Sequence, residues 1–413
     1  MNYLDKAKEL ENELISDYKE LHKCAETGFE LPETVAYVKK RLDELGIVYT
    51  DCGKNGVIGY IGDKRAKESV LLRADMDALP IKEETDVDYK SESGAMHACG
   101  HDAHTAMLIS AAKLLKESES ELMGCVKLMF QPAEELLEGA KSMIENGVLE
   151  SPPVKAAIML HLIVGTELES GSVVISSGGV SAPSADYFRI TVKGVGCHGS
   201  TPEKGRDPLA VACRAITALD EIKAKELALN ERAVISVGSL HSGDAPNAIP
   251  EKAELTGSIR AYSENTREYI KQRINNIVSM LAGAFETQCE VDFYSGTPSL
   301  LNDEILSKSA YESAKELFTG DRVMTSEELG LQAQKQGKRS EGAGSEDFAY
   351  ISREAPSLMI ALAAGKASEG YKFPLHNSKV RFDTSAFKYG SALLAQIARK
   401  MDKMPKNAAE KTL

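Results

Sequence analysis

The stretch MHACGHDAHTAM, residues 96–107, gathers a cysteine, three histidines and an aspartate into twelve positions. Cys99 and His101 flank a glycine, so on a loop leading into a helix both side chains can point at one ion. Imidazole and thiolate are preferred ligands of zinc and similar divalent metals. Two ligands do not make a site. Taken alone, the pair is better explained by a buried, hydrogen-bonded histidine beside an inert cysteine.

Further metal donors follow predicted strands elsewhere in the chain. The segment FQPAEE places Glu134 and Glu135 just after one strand. AAIMLHL places His161 at the end of another strand, and FPLHNS offers His376 in a loop. Because strand ends of an α/β sheet converge on a common crevice, these distant residues can meet. The sequence therefore predicts a metal centre at one edge of a sheet.

The elements that must position these donors alternate between helix and strand. Helical spacing covers residues 4–21, 33–45 and the segment TAMLISAAKLLKES, whereas GVIGYIG, SVLLRADMD and GCVKLMFQ are typical of strands. SLMIALAAG and a closing helix over 384–400 continue this pattern near the C-terminus. We expect an α/β fold whose catalytic domain has a mainly buried sheet.

The pattern changes at about Ser184. Strand, helix, two strands, helix and strand then follow in the order βαββαβ, which predicts an inserted ferredoxin-like domain over 184–295. The catalytic domain would comprise 1–183 and 296–413, and the tail PKNAAEKTL would be mobile.

Composition excludes several classes of function. A net charge of −13 argues against nucleic-acid binding and gives no attraction to an anionic membrane. No apolar stretch approaches the roughly 20 residues that cross a bilayer. Seven scattered cysteines fit a reducing compartment better than a disulfide framework. We expect a cytoplasmic protein that acts on small molecules.

Eight ordered motifs carry a family resemblance over nearly the whole chain: RADMDALP, MHACGHDAH, FQPAEE, GVGCHGSTPEKGRDP, DAPNAIP, GSIRAY, GSEDF and PLHNS. The chain resembles the aminoacylase/carboxypeptidase G family of two-metal peptidases. Its similarity is greatest to the N-acyl-amino-acid amidohydrolases, which include hippurate hydrolases and indole-acetyl-amino-acid hydrolases. Each motif alone would be weak, but their shared order makes coincidence improbable.

The resemblance implies two divalent metal ions per subunit, whether zinc, manganese, cobalt or nickel. Cys99 matches the ligand that bridges both ions in this branch. His101 and His161 would complete one metal site, and Glu135 and His376 the other.

The resemblance also implies roles for residues that are not ligands. Glu134 matches the general base that moves protons between water and the leaving nitrogen, and Asp77 an aspartate that orients the ligands. His198 would stabilise the oxyanion, in its own or the partner's active site. The implied substrate contacts are Asn247, Arg260 and Glu346, with Arg260 holding the α-carboxylate.

These expectations describe a metal-dependent amidohydrolase that cleaves N-acyl amino acids and forms a homodimer through the inserted lid domain. A dipeptidase or carboxypeptidase with the same two-metal machinery is the alternative in chemistry. A catalytically silent metal-binding protein and a cysteine hydrolase that uses Cys99 as nucleophile remain as further alternatives.

Overall fold

The computed structural model describes residues 1–335 and 344–404 of the 413-residue chain. The chain divides into two compact units. Unit 1 comprises Met1–Ser181, Leu301–Glu341 and Asp347–Leu413. Unit 2 comprises Ala182–Leu300 and Gly342–Glu346. The tail 405–413 lies outside the described residues. The boundaries 184–295 of an inserted domain stay a prediction.

The helices and strands of the described residues are numbered in chain order. The helices are α1 (Tyr3–Glu9), α2 (Glu11–Lys23), α3 (Pro32–Glu44), α4 (His101–Glu117), α5 (Gly139–Glu145), α6 (Pro208–Glu221), α7 (Glu264–Ala284), α8 (Glu304–Leu317), α9 (Ser326–Lys335), α10 (Ala349–Glu354) and α11 (Phe387–Asp402). The strands are β1 (Val48–Cys52), β2 (Gly56–Gly62), β3 (Ser69–Asp75), β4 (Cys125–Gln131), β5 (Val154–Ile163), β6 (Val173–Ile175), β7 (Gly179–Ala182), β8 (Ala185–Lys193), β9 (Cys197–His198), β10 (Ala233–Ser242), β11 (Ala248–Ile249), β12 (Lys252–Ala261), β13 (Gln288–Thr297), β14 (Leu300–Asn302), β15 (Val323–Thr325) and β16 (Ser357–Ala363).

Unit 1 is built on a mixed sheet with the strand order β1-β2-β4-β3-β5-β16-β6-β15. At its centre β4, β3, β5 and β16 run parallel to one another. Every residue of β3 and β4 is buried. Strands of a parallel sheet are nearly continuously apolar because helices cover both of its faces. The predicted α/β fold class with a mainly buried sheet is confirmed.

Two helices of unit 1 differ from the sequence prediction at their ends. The helical pattern over 4–21 is two helices, because the chain turns at Leu10 between α1 and α2. The closing helix begins at Phe387, since residues 384–386 form a 3-10 turn that Asp383 caps through its side chain. The spacing of apolar residues predicts where a helix lies better than where it begins, because helix caps depend on single side chains.

Unit 2 contains an antiparallel sheet with the strand order β10-β12-β8-β13 and two helices, α6 and α7. Along β8, Phe188, Ile190 and Val192 are buried, whereas Arg189 and Lys193 between and beyond them are exposed. The buried residues form a core with apolar residues of both helices, so the helices cover one face of the sheet. We call the opposite face, which carries Arg189, the open face. β9 and β11 pair with each other in a separate two-stranded antiparallel ribbon.

Among the described residues, we find no helix with the length and apolar composition that a membrane span requires.

Candidate metal centre and active site

Parallel strands of unit 1 deliver the predicted donors to one edge of the sheet. β3 pairs in parallel with both β4 and β5, so the carboxyl ends of the three strands point the same way. Asp77 lies two residues after β3, Glu134 and Glu135 follow β4, and His161 lies near the end of β5. These residues come together because the carboxyl ends of parallel strands lie at the same edge of the sheet.

The loop that carries Cys99 enters α4 through a left-handed glycine. Gly100 has a φ of 89°, and a Cβ there would lie 3.1 Å from Phe382 and 3.2 Å from Leu162. Only glycine adopts this conformation without strain. The sharp turn lets Cys99 on the loop and His101 on the first turn of the helix approach each other.

Two triads of possible metal donors share one residue. The donor atoms of Cys99, His101 and His161 all lie within 4.8 Å of one another, as do those of Cys99, Glu135 and His376. Within these triads the Cys99 Sγ is 3.6 Å from His161 Nε2, and Glu135 Oε1 is 3.4 Å from His376 Nε2. The structure therefore brings all five predicted ligands together, with the thiol common to both groups.

Two buried donor atoms of the triads lack a hydrogen-bond partner among the described residues. His161 donates from Nδ1 to the carbonyl of Leu162 over 2.8 Å, and His101 donates from Nδ1 to the carbonyl of Asp77 over 2.8 Å. Each ring thus presents its Nε2 to the centre. The His101 Nε2 and Glu135 Oε1 are buried and accept no hydrogen bond within the described residues. Buried polar atoms of this kind normally have partners, and a cation fits both.

Of the three donors Cys99, His101 and His161, only His161 is held in the form that ligates a metal, and the other two must lose a proton when a cation binds. Burial, together with repulsion from His104 and His101, lowers the pKa of His161 to about 3, so this imidazole is neutral and can ligate. Burial opposes a charge on His101, but the Asp75 carboxylate outweighs it and raises the pKa of His101. Burial raises the pKa of the Cys99 thiol, and a bound cation is what converts such a thiol to a thiolate.

Asp77 connects the parts of the site through its main chain and its carboxylate. The carboxylate accepts hydrogen bonds from the backbone N–H groups of Glu134, over 3.0 Å, and Glu135, over 3.2 Å. The Asp77 carbonyl fixes the ring of His101. Asp77 therefore contacts His101 and the segment that carries Glu134 and Glu135, which is the arrangement expected of an orienting residue.

A layer of buried polar residues lies behind the donors; the sequence indicated a supporting hydrogen-bonding role for His104 but missed Asp75 and Arg73. Asp75 accepts hydrogen bonds from His104 Nδ1 over 2.7 Å and from Arg73 Nη1 over 2.6 Å. His104 Nε2 in turn accepts from the backbone N–H of Leu162, over 2.9 Å, next to His161. This chain of contacts ties α4, β3 and β5 together. An arginine and an aspartate in the otherwise largely apolar strand SVLLRAD were the available signal.

Arg73 extends this layer to the segment that contains Asp347. The guanidinium donates to Gln131 Oε1 and to Asp347 Oδ1, both over 2.9 Å. Gln131 Nε2 also donates to both oxygens of Asp347, and the N–H of Ala140 donates to one of them. Asp347 belongs to the GSEDF motif, so part of that motif anchors the ends of β3 and β4.

A second buried cluster surrounds His22. Its Nδ1 lies 2.6 Å from Asp102, next to the donor His101, and its Nε2 lies 3.2 Å from Glu83. Burial disfavours the imidazolium, but these two carboxylates outweigh burial and raise the pKa of His22 to about 9. His97 is buried nearby, and burial lowers its pKa to about 4. Neither histidine belongs to the two donor triads.

The remaining predicted residues lie in unit 2, whereas all five donors lie in unit 1. His198 and Asn247 share the β9–β11 ribbon, where the N–H of Gly199 donates to the Asn247 carbonyl over 2.7 Å, and both side chains are exposed. Arg260 is half-buried on β12. Glu346 is buried, and its carbonyl accepts from Thr297.

Residues 71–400 match the family described as peptidase family M20/M25/M40. The chain belongs to this family. The resemblance inferred from the ordered motifs is therefore confirmed, and the chain is an enzyme of the metal-dependent amidohydrolase and metallopeptidase type.

Curated members of family M20/M25/M40 are similar along most of the chain. The N-acetyl-L-cysteine deacetylase of Bacillus subtilis is 37% identical over 307 residues, which cover 74% of this chain and 73% of the relative. Thermostable carboxypeptidase 2 of Saccharolobus solfataricus is 34% identical over 399 residues, covering 95% and 96%. The hippurate hydrolase of Campylobacter jejuni is 35% identical over 341 residues, covering 80% and 88%.

A solved structure of the M20 family supports the two-metal prediction. The Bacillus subtilis YXEP protein, a dinuclear metal binding peptidase from that family, has a TM-score of 0.77 and 29% identity. The similarity covers 95% of this chain and 99% of that chain. Together with two donor triads that share Cys99, this confirms the prediction of two divalent metal ions.

Proposed function

We propose that this chain hydrolyses N-acyl amino acids to a carboxylic acid and a free amino acid. The observation that carries the proposal is the pair of donor triads that share Cys99, with Glu134 beside them. Two relatives support it by their names, an N-acetyl-L-cysteine deacetylase and a hippurate hydrolase. Both names describe cleavage of an amide between an acyl group and an amino acid.

Five side chains would hold the two cations: Cys99, His101, Glu135, His161 and His376. Zinc, manganese, cobalt and nickel all accept this mixture of imidazole, thiolate and carboxylate. When bound, two such ions polarise the amide carbonyl and lower the pKa of the attacking water.

Glu134 would be the general base. Its Oε2 lies 3.9 Å from His101 Nε2, so the carboxylate borders the donor cluster without belonging to the two triads that share Cys99. It takes one proton from the attacking water as oxygen bonds to the acyl carbon. It then delivers that proton to the amide nitrogen as the carbon–nitrogen bond breaks, which releases the amino acid. Asp77 would hold the Glu134 backbone in place.

Unit 2 would supply the contacts to the rest of the substrate. His198 would stabilise the oxyanion, and Asn247 and Glu346 would help to place the substrate. Arg260 would bind the α-carboxylate, because a planar guanidinium fits a carboxylate with two hydrogen bonds. Residues 184–295 would act as a lid and dimerisation domain, with His198 serving its own or the partner's active site. A cytoplasmic location stays a prediction.

A carboxypeptidase or dipeptidase activity is the second candidate. It is favoured by the 34% identity to a thermostable carboxypeptidase over nearly the whole chain. A dipeptidase differs from an aminoacylase at the substrate nitrogen, because a dipeptidase requires a free α-amine and an aminoacylase requires an acylated one.

The test is an amine-release assay with N-acetyl and N-benzoyl amino acids, dipeptides and C-terminal amides, each with zinc, manganese, cobalt or nickel. We expect release from the N-acyl amino acids and little from free dipeptides. Preference for dipeptides would move the chain to the second candidate, and no release with any metal would favour a silent metal-binding protein. Cys99 alkylation in metal-free but not metal-loaded protein would argue against a cysteine nucleophile.

A further inference from the structure

Arg260 differs from the three other partly buried arginines of unit 2, Arg206, Arg267 and Arg273, because each of those has a carboxylate partner. Arg267 is bound by Asp186 through two hydrogen bonds of 2.7 and 2.8 Å. Arg260, also partly buried, forms no ion pair with a carboxylate within the described residues of unit 2. Arg214 and Arg232 lack carboxylate partners there too, but both are exposed to water. A partly desolvated cation without a counter-ion is suited to receive an anion.

Tyr187 holds this guanidinium on the open face. The Arg260 Nη2 donates a hydrogen bond to the phenol oxygen of Tyr187 over 3.1 Å, and the guanidinium carbon lies 5.2 Å from the ring centroid. Arg260 Nη1 also donates to the Ile259 carbonyl over 3.3 Å. These two hydrogen bonds use two of the five guanidinium N–H groups, so three remain for an anion.

The tyrosine is itself held from its other side. Tyr187 stacks against Tyr294 at a centroid distance of 6.3 Å and an interplanar angle of 26°. Arg189 lies 5.1 Å from the Tyr294 ring and 3.6 Å from a Glu254 carboxylate oxygen. The open face therefore carries a row of four side chains, Arg260, Tyr187, Tyr294 and Arg189. Arg189 has a carboxylate within ion-pair distance, whereas Arg260 has none in the described part of the unit.

We propose that Tyr187 is a positioning residue that pre-orders Arg260 for the substrate carboxylate, which rests on the proposed function of Arg260. A free arginine side chain loses much rotamer entropy when it binds an anion. A guanidinium already fixed by a hydrogen bond and a ring loses less, so the substrate binds more tightly. Tyr187 contacts the guanidinium and not the reacting atoms, so its loss raises KM and leaves kcat nearly unchanged.

The experiment compares an N-acyl amino acid with its C-terminal amide in wild type, Tyr187→Phe, Arg260→Ala and the double variant. Phe keeps the ring and removes the phenol oxygen. We expect Tyr187→Phe to raise KM for the acid about three- to tenfold, the size of one hydrogen bond, and to leave kinetics on the amide unchanged. In the Arg260→Ala background the second substitution should change nothing further, because the two residues act as one unit.

Tyr262→Phe is the matched control, because Tyr262 lies beside Arg232, whose guanidinium carbon is 3.6 Å from the Tyr262 ring. It should leave the ratio of acid to amide hydrolysis unchanged. Tyr187→Leu, which also removes the ring, should lower that ratio further than Phe does.

Two failures are distinguishable. If wild type shows a strong preference for the acid that Arg260→Ala abolishes, and Tyr187→Phe keeps that preference, the positioning role is wrong and the proposed function stands. The positioning role is also wrong if the effects of Tyr187→Phe and Arg260→Ala multiply. If wild type hydrolyses acid and amide equally, carboxylate binding by Arg260 is wrong, and the positioning role fails with it.

Discussion

The donor cluster of unit 1 and the open face of unit 2 hold their functional side chains in different ways. In unit 1, Asp75, His101 and His104 are buried. Asp75 accepts hydrogen bonds from His104 and Arg73, and His101 donates to the Asp77 carbonyl, over 2.6 to 2.8 Å. In unit 2, Arg260 is half-buried and His198 is exposed, with few side-chain partners each.

This difference separates two tasks. A metal centre needs several ligands fixed at once, and a buried network over-determines their positions. Substrate recognition needs groups that meet a variable ligand, which a sheet face and a ribbon can provide. We therefore expect substitutions in unit 1 to affect all substrates alike and substitutions on the open face to change which substrates are used.

The largest effect should come from Glu134→Gln in unit 1. Turnover should fall by about 10²- to 10⁴-fold on every substrate, the loss expected for a general base, while metal content stays at the wild-type level. Kinetics and elemental analysis of the same sample check this. Glu138→Gln, an exposed neighbour, is the control. Persistent turnover would exclude Glu134 as the base, and loss of metal would mean that Glu134 is a ligand.

Arg260→Ala should give a large but selective effect. Loss of a desolvated charge pair should weaken hydrolysis of N-acyl amino acids by about 2–5 kcal/mol in kcat/KM and hardly affect their C-terminal amides. Lys at this position should rescue in part, because a point charge cannot reproduce the planar fork. Arg232→Ala, which removes an exposed arginine, is the control. Equal losses of kcat/KM on the acid and on its amide would contradict the expectation that the open face determines which substrates are used.

His198→Ala should lower turnover about 10²- to 10³-fold if the imidazole stabilises the oxyanion. Mixing His198→Ala with Glu134→Gln subunits then tests whether it acts across a dimer. In that case random exchange restores about a quarter of the sites, since half of the dimers are mixed and each has one intact site. Light scattering and native mass spectrometry establish dimerisation and exchange. Full turnover by His198→Ala alone would contradict the assignment.

The smallest effect concerns the stability of unit 1. The pKa of His22 is about 9 in the folded protein and near its ordinary 6.5 when unfolded, so the folded state binds the proton more tightly. This contribution, on the order of 3 kcal/mol, is fully present below about pH 6.5 and is lost as pH rises through 9. Urea midpoints at pH 6 and 9.5 measure it.

His22→Gln should remove this pH dependence, and His241→Gln, at an exposed position in unit 2, should retain it. If both variants lose stability with rising pH as wild type does, His22 is not the responsible group.

The sequence predicted the fold class and the donors because both follow from local signals. Buried parallel strands have nearly continuous apolar runs, and their carboxyl ends must converge, so Glu135 and His161 could be placed near Cys99 without coordinates. The ordered motifs then identified the family. Helix ends were less predictable, as the start of α11 shows, because the turn before Phe387 depends on a single capping contact from Asp383.

The supporting residues could not be predicted, because they depend on which side chains meet across the sheet. Asp75 with His104 and Arg73 with Asp347 pair residues far apart in sequence, and no periodicity gives their register. The same holds for Tyr187. The alternation of side chains along β8 places Tyr187 and Phe188 on opposite faces of the sheet. The contact of Tyr187 with Arg260, however, depends on how β8 pairs with β12.

Anomalous diffraction from crystals grown with manganese or zinc tests the central claim most directly. We predict two peaks, roughly 3.5–4 Å apart, as in other two-metal sites. One should lie against His101 and His161, the other against Glu135 and His376, with the Cys99 sulfur in contact with both. A single peak, or metals located away from these five side chains, would contradict the account.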